Sequence, residues 1–195
     1  DAVHDGTAND DDRCAAADRL NIRAGMSPGP FWGCPTGLDV GSVRATPPST
    51  FAGLSAERLT DRRLLVRGHA GTSVWKLSGP GATGAQCLLG LPYVRRLIEH
   101  RELGRRIRVW PFDTGCTPMP TMGGSSAIVV CELLPHVFEV DQSAHSLPEA
   151  AQVIGVGRTL ARLDRDNELG RLFAPFLTAD ETKIVEREEG WVLGA

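Results

Sequence analysis

The chain has 195 residues, 42% of them hydrophobic and 23% charged, with a formal net charge of −3. That length suits one α/β domain, or one domain with an appendage, and the apolar share is enough for a sizeable core. The slightly acidic balance gives no bulk electrostatic reason for a nucleic-acid or membrane partner, and no apolar run reaches the ~20 residues of a bilayer-spanning helix.

Five cysteines, Cys14, Cys34, Cys87, Cys116 and Cys131, are odd in number and scattered, without CxxC or Cys/His zinc spacing. No stretch reads as a signal peptide, so a reduced, cytoplasmic protein is the expected context. The chain opens at Asp1 inside a polar, acidic run, as a fragment or a processed product would.

Asp1 to Asp12 reads as a mobile terminus. Asp10 to Arg23 follows as a short helix, with Ala15, Ala16, Leu20 and Ile22 as a weak stripe. Gly25 to Pro48 is irregular and rich in Gly and Pro, with Phe31 and Trp32 expected to plug an apolar surface. Ser55 to Val66 is expected to be helical. Ala85 to Arg101 is expected to form a longer helix, with Cys87, Leu88, Leu91, Val94, Leu97 and Ile98 on one face, a kink at Pro92 and a C-cap at Gly104.

Arg106 to Phe112 and Ala127 to Leu134 read as two strands separated by a Gly/Pro/Ser loop. The second is nearly all apolar, as in a strand buried on both faces. Ser146-Leu147-Pro148-Glu149 and Thr178-Ala179-Asp180-Glu181 spell capping boxes for two further helices, and Trp191-Val192-Leu193 should dock the tail. Residues 1–50 are thus expected to be an irregular region with one short helix, and residues 51–195 a single α/β domain.

Glu132 interrupts the second apolar strand, and a carboxylate there must be paired, protonated or metal-bound. With His136, and with Glu139 and Asp141 further on, it could ligate Mg²⁺ or Mn²⁺; an ion pair with an arginine serves equally. Gly79-x-Gly81-x-x-Gly84 has the spacing of a dinucleotide fingerprint, but the run before it contains Trp75 and Lys76 and is poorly apolar. A turn feeding a helix is the alternative, whose free N–H groups would still suit an anion. Arg95, Arg96, Arg101, Arg105, Arg106 and Arg108 face only Glu99 and Glu102 in their segment, which reads as a phosphate-contacting patch or as a solvated face. Ser125 and Ser126 lack a GxSxG elbow, so a serine hydrolase is not expected.

Several segments occur in a recognisable order: Gly29-Pro30-Phe31-Trp32-Gly33, Arg58-x-Thr60-Asp61, Ser73-Val74-Trp75-Lys76-Leu77 with the glycine turn and Gln86, Val109-Trp110-Pro111-Phe112-Asp113, and Cys131-Glu132-x-x-Pro135. Asp164-Arg165-Asp166, Leu177-Thr178-x-x-Glu181 and Glu189-Gly190-Trp191-x-Leu193-Gly194 complete the series. From about Gly29 onward the chain resembles the domain-of-unknown-function family 429, whose members are predicted ribonuclease-H-like nucleases.

The resemblance implies a ribonuclease-H-like α/β core, a mixed sheet flanked by helices. It makes Glu132 a metal ligand or base and Asp61 a second catalytic acid. It departs from the family in two places. The first strand, with its aspartate, would precede Asp1, so the core is expected to be N-terminally truncated. Gln152 stands where a late-helix acid belongs, and two-metal cleavage needs several carboxylates holding ions about 4 Å apart.

The leading expectation is a metal-dependent phosphodiesterase or an inactive relative, with Gly81, Gly84, Arg95, Arg105 and Arg108 as phosphate contacts. The alternative is a non-catalytic module binding a nucleotide or a protein. Nucleic acid, a nucleotide or a second copy of the chain are the partners considered, and a membrane is not.

Overall fold

The computed structural model describes residues 12–34, 40–51, 53–71, 73–120 and 127–195. The expectations for residues 1–11, and Ser125 and Ser126, lie outside them. Among the described residues the architecture is mixed α/β, with five α-helices and a short two-stranded parallel sheet. None of these helices is long and apolar enough to cross a membrane. The chain divides into two compact units, one built from residues up to 65 and 70–101, the other from 66–69 and 102 onward.

The first unit contains α1 (Arg13–Arg23), α2 (Leu59–Val66) and α3 (Thr83–Ile98). Helix α1 buries only small or polar residues, Cys14, Ala16, Ala17 and Asn21. This lets the 29–34 segment come close. Asn21, fully buried, accepts from the Phe31 N–H at 3.2 Å and donates to the carbonyls of Phe31 and Ser42 at 3.4 Å. A Cβ on Gly29 would lie 2.1 Å from the Asn21 side chain, so that position must be glycine.

A disulfide joins Cys14 to Cys34, which corrects the expectation of five reduced thiols. The α1 packing brings the two Cα atoms to 6.1 Å, a separation no sequence spacing announces. Helix α3 runs unbroken through Pro92 and ends at Ile98. Gly104 does not cap it and instead opens a separate 3-10 turn. Of its expected apolar face, Leu88 is buried while Leu91, Leu97 and Ile98 are exposed.

Asp18 of α1 fastens the turn at residues 40–43. Its Oδ1 accepts from both the Ser42 N–H and the Ser42 hydroxyl, each at 2.7 Å. These bonds hold its carboxyl below the usual carboxylate range, because they favour the charged form. A lowered folded-state pKa contributes stability above the unfolded value of about 3.9, and this is lost as pH falls through the folded value. The stability gap between wild type and Asp18→Asn should therefore narrow between about pH 6 and pH 2. Urea midpoints across that range measure it, and a constant gap would show that the charge contributes nothing.

In the second unit, β1 (Ile107–Val109) and β2 (Ile128–Val130) pair in parallel, Ile107 opposite Ile128. Both strands are shorter than expected, and β2 is half-buried throughout rather than buried on both faces. Among the described residues β1 is its only partner strand in the sheet. Trp110 continues the ladder through its N–H to the Val130 carbonyl and packs edge-on against Phe173, centroids 5.6 Å apart.

Helix α4 (Pro148–Arg165) buries Ala151, Gly155, Val156 and Leu163. Gly155 allows close approach of Val140, where an added Cβ would sit 3.0 Å from a methyl. The capping box expected at Ser146 does not form: Leu147 is the N-cap, and no side chain caps the helix. The box at Thr178 and Glu181 does form and starts α5 (Ala179–Ile184), which passes into a wider turn over Val185–Glu189. Trp191, Val192 and Leu193 are all buried, so the tail docks as expected.

Candidate functional site

The glycine turn is built by its own backbone. Gly79 and Gly81 have φ of +82° and +75°, which glycine adopts without steric cost. The Gly81 carbonyl accepts from the N–H groups of Ser73 and Thr83, at 2.9 and 3.1 Å. The Gly84 N–H donates to the carbonyls of Ser73 and Lys76, at 3.3 and 3.0 Å. The first N–H groups of α3, which an anion would need, are thus already held by the chain.

A Cβ on Gly84 would stand 2.5 Å from the Val74 carbonyl oxygen, so this glycine serves the close approach of α3 to residues 73–77. The segment preceding the turn is not a buried strand. Its residues Ser73, Val74, Trp75 and Lys76 are half-buried. Trp32 bridges to both Arg44 and Lys76, and the Lys76 ammonium lies 5.4 Å from the Trp32 ring centroid while donating to the Pro80 carbonyl. Phe31 meets Trp75 edge-on at 5.2 Å and packs against the buried cluster around Cys14 and Cys34, as a plug would.

Asp61 sits in the first turn of α2. Its Oδ2 accepts from the Arg58 N–H at 3.2 Å and from Arg58 Nε at 3.0 Å, and its Oδ1 from Arg58 Nη2 at 3.1 Å. The two side chains are 2% and 10% exposed. The contact is a two-pronged guanidinium–carboxylate pair that also closes the start of the helix, as a third-position acid does in a capping box.

Glu132 lies two residues beyond β2. Its backbone bridges Val192, and its carbonyl accepts the Leu193 N–H at 3.0 Å, so the docked tail holds it in place. Beside it, burial raises the Cys131 thiol pKa, and the Glu132 charge adds to that. His136 is exposed in a 3-10 turn over Pro135–Val137.

Asp61 belongs to the first unit and Glu132 to the second. Among the described residues no group of three or more His, Cys, Asp or Glu side chains is gathered as a metal site. Both Asp61 oxygens accept from the Arg58 guanidinium.

The arginines divide by role. Arg108 folds back onto the carbonyls of Arg105 and Ile107, at 3.1 and 2.6 Å, and secures the 3-10 turn over Gly104–Arg106. Arg95 pairs with Glu99 one helical turn away, at 2.7 Å, with its side chain 77% exposed. Arg96 lies over the Tyr93 ring at 5.4 Å. Arg95, Arg96, Arg101, Arg105 and Arg106 are all solvent-exposed.

The sequence reading did not single out Glu186, which accepts from the Cys116 N–H at 2.8 Å. Burial first, and then the Glu186 charge, push the Cys116 thiol up to about 11, which leaves it a poor nucleophile. No local pattern relates the two residues. Comparison of the chain with protein-family models, with curated proteins and with solved structures gives no match.

Proposed function

We propose that this chain is a non-catalytic binding module that contacts a phosphate-bearing ligand, a nucleotide or nucleic acid, through the exposed arginines Arg95, Arg96 and Arg101 of its first unit. One observation carries the reading. Residues 93–101 contain three arginines and one glutamate, a local charge of +2 in a chain of net −3, and all three arginines face solvent. Such a segment draws phosphates by charge, with little demand on sequence or geometry.

The family resemblance enters as ancestry: an inactive relative of ribonuclease-H-like nucleases would keep a phosphate-contacting surface after losing its metal carboxylates. The Arg58–Asp61 pair favours that reading over an active phosphodiesterase, because it gives the second carboxylate a structural task.

Fluorescence anisotropy with a labelled single-stranded oligonucleotide tests the proposal. Affinity should fall at least tenfold between about 50 and 200 mM salt, and again by about tenfold in an Arg96→Glu/Arg101→Glu variant. Binding that is absent, or indifferent to both changes, would overturn it. So would a Mn²⁺-dependent cleavage of the oligonucleotide that disappears in Glu132→Ala, which would restore the enzyme.

A further inference from the structure

We infer that the Cys14–Cys34 disulfide is a redox tie on which the packing of the first unit depends, so that a thiol reductant loosens this unit and leaves the second folded. The core around the bond is thin. Its buried residues are the two half-cystines, Ala17, Val43, Leu77 and Leu88, with Phe31 and Val40 packed against them. Only three of those buried residues are aliphatic side chains larger than alanine, and small cores of this kind depend on staples.

The bond itself is deep, with Cys14 and Cys34 only 9% and 6% exposed. It joins α1 to the segment carrying Phe31 and Trp32, across a sequence separation of 20. Noncovalent links between the same elements include the long hydrogen bonds of Asn21. The second unit packs around Trp110, Phe173, Val185, Trp191 and Leu193, and its two cysteines, Cys116 and Cys131, are free thiols.

Reduction is a two-electron exchange. A thiolate of the reductant attacks one sulfur, releases the other as thiolate, and a second reductant thiol resolves the mixed disulfide. Two protons go to Cys14 and Cys34, and the reductant leaves as its own disulfide. Because the bond is buried, attack requires local opening of α1. A compartment that keeps thiols reduced would hold the first unit in its loosened form.

Two measurements on the full chain test this. Maleimide labelling in denaturant should modify three cysteines without reductant and five after dithiothreitol. Hydrogen exchange read by mass spectrometry should then accelerate roughly a hundredfold in α1 and in residues 29–34 on reduction, while α4 changes less than about threefold. A Cys14→Ser/Cys34→Ser double variant should reproduce the reduced pattern without any reductant. Five labelled cysteines before reduction would overturn the proposal. So would unchanged exchange in α1 on reduction, or equal acceleration in both units.

Discussion

Asp61→Ala should destabilise the protein by about 3–5 kcal/mol, because it leaves the buried Arg58 guanidinium without the carboxylate that both of its prongs address. Arg58 is only 8% exposed, so water cannot replace the lost partner. The matching control is Arg58→Met with Asp61→Leu. Replacing both charges by apolar side chains of similar size should bring stability back to within about 1 kcal/mol of wild type, since neither charge then needs solvation. Equilibrium urea denaturation of the three proteins measures the effect. If Asp61→Ala costs less than about 1 kcal/mol, the pair is dispensable and the carboxylate becomes available for chemistry. If it abolishes a phosphodiesterase activity while stability holds, the catalytic role expected of Asp61 returns.

Trp191→Ala should cost a similar amount, about 3–5 kcal/mol, for a different reason. Trp191 is 1% exposed, and the residues after it, Val192 and Leu193, are equally buried. Removing the indole leaves a cavity beneath the tail that bridges to Glu132. The loss should therefore appear in the urea midpoint and, by hydrogen exchange, at the Leu193 amide, whose acceptor is the Glu132 carbonyl. Val153→Ala on α4 is the control: that side chain is 71% exposed, and its removal should stay within about 0.5 kcal/mol. A Trp191→Ala protein as stable as the control would mean that the tail is not part of the second unit's core.

The two effects bear on how Glu132 is understood. As an isolated residue it looked like a carboxylate stranded in an apolar strand. In the fold it follows a strand of only three residues, half-buried, with its backbone anchored by the C-terminal tail. Its setting is a strand-to-tail junction, and its surroundings include a thiol whose pKa it helps to raise. Asp61 changed more. The resemblance made it a second acid, whereas the structure makes it the partner of a residue three positions earlier.

That pairing was within reach of the sequence, since Arg58-x-x-Asp61 is a local spacing. What was not legible was its burial, which depends on how the rest of the first unit covers it. The glycine turn shows the same division. Its spacing was plain, yet its donors are aimed at the carbonyls of Ser73 and Lys76 and not outward, a consequence of how closely α3 lies on residues 73–77.

The sequence by itself determined the features written within a few residues. The five helices lie within a few positions of where the sequence pattern places them, although the expected caps at Ser146 and Gly104 do not form. The Thr178–Glu181 capping box formed because its two partners are three residues apart and need only each other. The tail docked because Trp191, Val192 and Leu193 have no better place than an interior. Only the tertiary structure decided the rest: that Cys14 meets Cys34, that Asn21 threads the chain at Gly29, that Trp110 finds Phe173, and that Glu132 lies against the tail. Each of these joins residues on separate elements of the chain. Their pairing is selected by the packing of the whole unit, and no local periodicity carries that choice.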